Sequence, residues 1–247
     1  MQNYWNNIFE QLKKFNGEDL ELIKSITLKS GVEERLYTEL KRCIEDFLLN
    51  PQKEQNSHHI PHVAVMLAHL DSRRSSAYLL ELVKLDLDYY HYFFDEVNAD
   101  SIYFICYKLG NTNLKELLEV VKDDSIYEYG RNYIVEGLLM HCQTNTEIKN
   151  IILPEIKPLL NSNTMNFHVI RGTLRYKIDE LHYDALEYFN KSKIAPMDLS
   201  LDEVNVLKDG DFEYNGLRTL DDFYEVLSEY EKQRQEYSHE IDDWDFF

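Results

Sequence analysis

A register of 38 residues constrains this chain more than any motif in it. Leu79, Leu80, Glu81, Leu82, Val83, Lys84 and Asp86 recur as Leu117, Leu118, Glu119, Val120, Val121, Lys122 and Asp124. The same offset carries Met66, Leu67 and Ala68 onto Phe104, Ile105 and Cys106. Each copy reads as two helices, the first with apolar positions around a small residue and the second with a Leu-Leu-x-x-Val stripe. A looser third copy follows, with Tyr133, Ile134, Gly137, Leu138 and Met140 in its first helix. Its second helix carries Ile148, Ile151, Ile152, Ile156, Leu159 and Leu160. Hairpins repeated at such a period bury their apolar faces against one another, so the expected architecture is an all-α solenoid.

The flanks fit that plan. Trp5, Ile8, Phe9 and Leu12 fall at helical spacing before Gly17, and Leu20, Leu22, Ile23 and Ile26 form a second short segment. Leu36, Leu40, Cys43, Phe47 and Leu48 mark a third, from Val32 to Leu49, which Asn50-Pro51 ends. Residues 1–57 are expected to cap the first edge of a repeat core at 58–195, with Pro61 in the first turn of its opening helix. Pro154 and Pro158 are expected to interrupt the second helix of the third copy, which is kinked or restarts at Pro154. Residues 196–218 read as an acidic linker. Thr219 reads as an N-cap with Asp222 three residues on, opening a helix in 219–247 with Leu220, Phe223, Tyr224, Leu227 and Tyr230 on one side. That helix is expected to close the end of the solenoid.

The quoted runs, from Val63–Leu70 through Leu79–Val83 and Leu117–Val121 to Tyr127–Leu138, resemble HEAT-like repeats. More closely, the stretch 58–210 is similar to a bacterial family described as domain of unknown function 1186. The resemblance implies an αα superhelix whose motifs are packing patterns, and it implies a structural role for Arg131, which matches the arginine such repeats use to bond neighbouring carbonyls or acids. Some members of that family carry a C-terminal zinc motif of Cys and His. No Cys follows Cys142 here, so that function does not carry over.

Charge narrows the partners. The chain of 247 residues has 26 basic and 45 acidic side chains, a formal −19, which repels phosphate backbones and anionic lipid. From Asp198 onward 16 acidic residues face 4 basic ones. No run is long and apolar enough to span a bilayer and the start lacks a signal pattern, so the default address is the cytoplasm. Cys43, Cys106 and Cys142 are scattered and read as reduced, structural thiols.

Chemistry has little to build on. No nucleophile elbow or phosphate loop occurs, and no catalytic residue is assigned. The one metal candidate is His58, His59 and His62 with His69; Pro61 separates the first two from the helical face of the others, so no metal and no cofactor is expected. Partner-binding residues are expected in two aromatic stretches. Tyr89, Tyr92 and Phe93 lie in the insertion from Asp86 to Glu96, which otherwise fills the gap between hairpins. Trp244, Phe246 and Phe247 lie in an acidic tail that docks either on a partner or on the chain itself. The sequence thus points to a non-enzymatic adaptor that binds another protein, with two alternatives: an acidic inhibitor or immunity protein that neutralises a nuclease-type toxin, or a metal-dependent hydrolase. Oligomeric state is not legible.

Overall fold

The computed structural model describes residues 2–15, 20–49, 59–85, 100–191, 201–209, 218–229 and 232, and among them it holds helices and turns but no strand. The all-α class is thereby established. The expected contacts Tyr89, Tyr92, Phe93, Trp244, Phe246 and Phe247 lie outside the described residues, as do His58 and Tyr230.

The helices are α1 (Gln2–Leu12), α2 (Leu20–Thr27), α3 (Val32–Leu49), α4 (Ile60–Leu70), α5 (Arg73–Leu82), α6 (Asp100–Thr112), α7 (Leu114–Lys122), α8 (Glu128–Thr144) and α9 (Thr146–Ile156). After a 3-10 turn at Lys157–Asn161 come α10 (Asn166–Arg175), α11 (Asp179–Lys191), α12 (Leu201–Asp209) and α13 over 220–229. Every apolar position paired by the register of 38 is buried, from Met66 and Phe104 through Leu80 and Leu118 to Val83 and Val121.

The chain divides into two compact units. The first comprises Met1–Ser76, Asp88–Phe104 and Leu217–Phe247; the second comprises Ala77–Leu87 and Ile105–Gly216. The division falls inside α5 and inside α6, so the units do not follow the hairpins.

In the first unit α3 lays Val32, Leu36, Leu40, Cys43, Ile44 and Phe47 along one buried face against α4. Leu48, expected on that face, is 58% exposed, because it lies about 100° around the helix from Phe47 and Ile44 fills the stripe instead. Helix α4 is buried nearly all round from Ile60 to Ala68, with Pro61 in its first turn and Asp71 closing it in the left-handed conformation at φ 48°. Helix α13 opens with a reciprocal cap: the Asp222 amide donates to Thr219 Oγ1 at 3.1 Å, and the Thr219 amide donates to Asp222 Oδ2 at 2.8 Å. Leu220, Phe223, Tyr224 and Leu227 are buried, as the spacing predicts.

Their destination is not the one expected. Tyr224 packs edge-on to Phe15 and stacks beside His62, Phe223 meets Phe104, and Lys24 reaches Asp221 at 3.1 Å. The last helix therefore completes the core of the amino-terminal helices. Burying four such side chains contributes about 1.5–3 kcal/mol each, which requires apolar partners, and Phe15, the ring of His62 on α4 and Phe104 on α6 are among them.

In the second unit α8 is the central element, buried over Gly130–Asn132 and Ile134–Cys142. It lies so close to α6 that a Cβ on Gly137 would stand 2.7 Å from Cys106 Cβ and 2.9 Å from the Tyr107 amide nitrogen. All three cysteines are free and buried. Arg131 is buried, donates from Nε to the Val121 carbonyl at 2.9 Å and pairs with Asp124 at 2.7 Å, tying the end of α7 to the start of α8.

Three details depart from expectation. Helix α9 does not restart at Pro154 but runs through it, and it changes to the 3-10 turn after Ile156, with Pro158 in the first turn. Ile151, one of the apolar residues read into that helix, is 53% exposed, while Ile152 and Ile156 are buried. The expected linker at 196–218 contains α12, whose Val204 is buried and whose Leu207 carbonyl accepts from Lys177 Nζ at 2.5 Å. Acidic composition there conceals one apolar anchor and a distant cation on the helix's carboxyl end.

Candidate functional site

The histidines grouped by the sequence separate in space. His69, at the end of α4, is exposed. His62 is a core histidine: its Nδ1 lies 3.3 Å from the Tyr224 hydroxyl, it bonds the Phe15 backbone, and Phe15 packs edge-on against its ring. Burial, aided by the nearby His59, holds its pKa down to about 4, so the ring is neutral. The Tyr224 hydroxyl is pushed above its usual value by burial and stays protonated as the donor.

His59 enters a different group. Its Nε2 lies 2.9 Å from Glu39 Oε1 and 3.9 Å from Cys43 Sγ, and Cys43 Sγ lies 3.6 Å from Glu39 Oε1. Glu39 and Cys43 stand four apart on the face of α3 that meets α4, and His59 is the residue on which α4 begins, so helix packing alone brings the three together. Cys43 and His59 are buried and Glu39 is 13% exposed. The Arg42 guanidinium closes the group, with Nη2 at 2.6 Å from Glu39 Oε1 and 3.2 Å from Cys43 Sγ, while Nη1 reaches Asp46 at 2.8 Å.

The electrostatics follow from these contacts. Burial opposes ionisation of Glu39, but the His59 and Arg42 hydrogen bonds outweigh it and bring the carboxyl to about 2. Burial and then the Glu39 charge push the Cys43 thiol up to about 12, so it is not an activated nucleophile. A cysteine–histidine–acid relay uses one ring nitrogen for the acid and the other for the thiol. Here Nε2 serves both, and His59 Nδ1 is buried with no partner among the described residues. The group offers thiol sulfur, imidazole nitrogen and carboxylate oxygen, all within 4.8 Å of one another, a donor set that could hold a metal ion. The sequence signal for Glu39 and Cys43 was their spacing of four on an amphipathic helix. Nothing linked them to His59 across the connection at 50–58.

A second buried polar group lies in the second unit. Glu136 of α8 is fully buried, and its Oε1 accepts from Arg171 Nε at 2.9 Å and lies 3.3 Å from His168 Nδ1, while Oε2 accepts from Arg175 Nη1 at 3.3 Å. Burial alone would raise its pKa, but the His168 bond and the charges of Arg171 and Arg175 bring it to about 2. The three donors sit on successive turns of α10, so the cluster fastens α10 to α8.

The accessible chemistry of that unit gathers at the entrance to α8. Tyr127 and Tyr129 stack with ring centroids 5.3 Å apart, and Tyr129 is 48% exposed. Asp123, Asp124 and Glu128 are exposed beside them. Asp124, Tyr127 and Glu128 line an open cleft of about 490 Å³ together with Arg131, Ser162 and Thr164, among others. The motif Tyr127-Glu128-Tyr129 was visible in the sequence but read as part of a packing pattern, since helical spacing does not reveal which end of a helix stays in solvent.

Among the described residues no helix is long and apolar enough to cross a membrane. No family model matches the chain, and no curated protein or solved structure matches it either.

Proposed function

We propose that this chain is a HEAT-like, non-catalytic helical-repeat protein that binds another protein through acidic and aromatic surface, and that the partner presents lysine or arginine. The stacked pair Tyr127 and Tyr129 beside Asp123, Asp124 and Glu128 carries this reading. Tyrosine faces attract cations, carboxylates pair with them, and stacked rings lose little conformational freedom when a partner orders them. The buried equivalence of the 38-residue register supports the repeat, and the overall −19 supports the choice of a cationic partner. The tail sequence Asp242-Asp243-Trp244-Asp245-Phe246-Phe247 has the same chemistry.

Affinity capture followed by mass spectrometry tests the reading with one double and one single variant. Tyr127→Ala/Tyr129→Ala is expected to lose the captured partner while Tyr183→Ala, an exposed tyrosine elsewhere, keeps it. Equal capture by all three chains rejects the surface. The net charge favours a second reading, an acidic inhibitor that covers a basic active site. That reading predicts an association rate falling at least tenfold between low and physiological salt, with dissociation little changed.

A further inference from the structure

We infer that Glu39, Cys43 and His59 form a binding site for a thiophilic divalent cation of the zinc class, independent of the protein-binding surface. The donors are set before any ion arrives. In a tetrahedral zinc centre with bonds of about 2.3 Å to sulfur and about 2.0 Å to nitrogen and oxygen, the ligand atoms stand about 3.3–3.6 Å apart. The three separations here are 2.9, 3.6 and 3.9 Å, so shifts of a few tenths of an ångström turn this triangle into that one. Two ligands lie on α3 and one is the residue that caps the start of α4, so the ion joins two packed helices.

Charge balance favours the same ion. A thiolate, a carboxylate and a neutral imidazole together bring two negative charges, so a divalent cation leaves a neutral centre in a buried place. Binding releases the Cys43 thiol proton to solvent and turns the His59 Nε2 lone pair to the metal, which leaves the ring proton on Nδ1. Arg42 now lends the positive charge that the metal would supply. It is 53% exposed and already bonded to Asp46, so it can release Glu39 without becoming unpaired. Sulfur in the set selects against magnesium and calcium, and three protein ligands leave the fourth position for water. His62 and His69 take no part: the first is bonded within the aromatic core, the second is exposed on the following turns.

Cobalt(II) is the probe. The metal-free full chain titrated with cobalt is expected to show one equivalent of tetrahedral d–d absorption and a thiolate-to-cobalt charge-transfer band, both displaced by zinc. Cys43→Ser is expected to lose the charge-transfer band, Glu39→Gln to weaken binding at least tenfold, and Cys142→Ser to leave both unchanged. X-ray absorption of the zinc-loaded wild-type chain needs no variant: one sulfur at about 2.3 Å with nitrogen and oxygen at about 2.0 Å is expected. A zinc shell without sulfur, a charge-transfer band that persists in Cys43→Ser, or no spectral change with excess cobalt overturns the site.

Discussion

The two units solve the same packing problem with opposite use of the chain. The second is built from neighbours: Glu136 meets Arg171 and Arg175 at separations of 35 and 39 residues, and Lys177 reaches Leu207 at 30. The first is closed from its far end, since His62 meets Tyr224 across 162 residues and Lys24 meets Asp221 across 197. Local contacts form at small loop-closure cost, whereas distant ones must await the whole chain. The same all-helical composition therefore gives one unit that can form progressively and one that cannot form until residues near 224 exist.

The sharpest ways to break the comparison are at the distant contacts. Tyr224→Ala is expected to destabilise the first unit by about 3–5 kcal/mol, from lost burial and the hydrogen bond to His62, read as a shift in denaturant midpoint. Amide protection in α8 and α10 should change far less. A matching loss in both units would show that they do not respond separately. Glu136→Ala makes the reciprocal test. It leaves Arg171, Arg175 and His168 without their shared acceptor, and a cost of about 3–5 kcal/mol is expected in the second unit.

Acid should reach the two units differently. His62 titrates near 6.5 when unfolded and at about 4 when folded, so the unfolded chain binds more protons between those values. Its contribution, about 3 kcal/mol, is complete above pH 6.5 and lost as pH falls toward 4. His168 in the second unit is also lowered by burial, but its bond to Glu136 opposes the shift. Glu39 and Glu136, held at about 2, withdraw stability only as pH falls from 4.5 toward 2. Thermal melts between pH 7 and 5 should therefore show α3 and α4 loosening first, and His62→Asn should flatten that slope. An unchanged slope in the variant would remove His62 as the cause.

The smallest effect is expected at Gly137→Ala. Alanine's better helix propensity gains about 1 kcal/mol, but its Cβ at 2.7 Å from Cys106 forces α6 and α8 apart for about 1–3. A net loss of about 1 kcal/mol by chemical denaturation is predicted, and a stabilised variant would show that the helices can separate freely.

What the sequence made legible follows the same division. The Thr219–Asp222 cap and the buried stripes of α3, α7 and α13 could be read because each is a local pattern of side chains on one helix. The destination of α13 could not, since an apolar stripe states that a partner exists and not which one. Nor could the Glu39, Cys43 and His59 group, whose members share a site only after α3 packs on α4. His62 illustrates the limit most plainly: the imidazoles near one another in sequence were expected to hold no metal, and packing set His59 beside Glu39 and Cys43 but His62 in an aromatic core.

Native-state hydrogen exchange on the full chain and on a chain ending after residue 216 tests the central claim, that the carboxyl-terminal helix completes the amino-terminal unit. The account predicts that the shortened chain loses amide protection in α1–α4 and retains it in α8–α10. Unchanged protection in α3 and α4, or equal loss in α8 and α10, would contradict it.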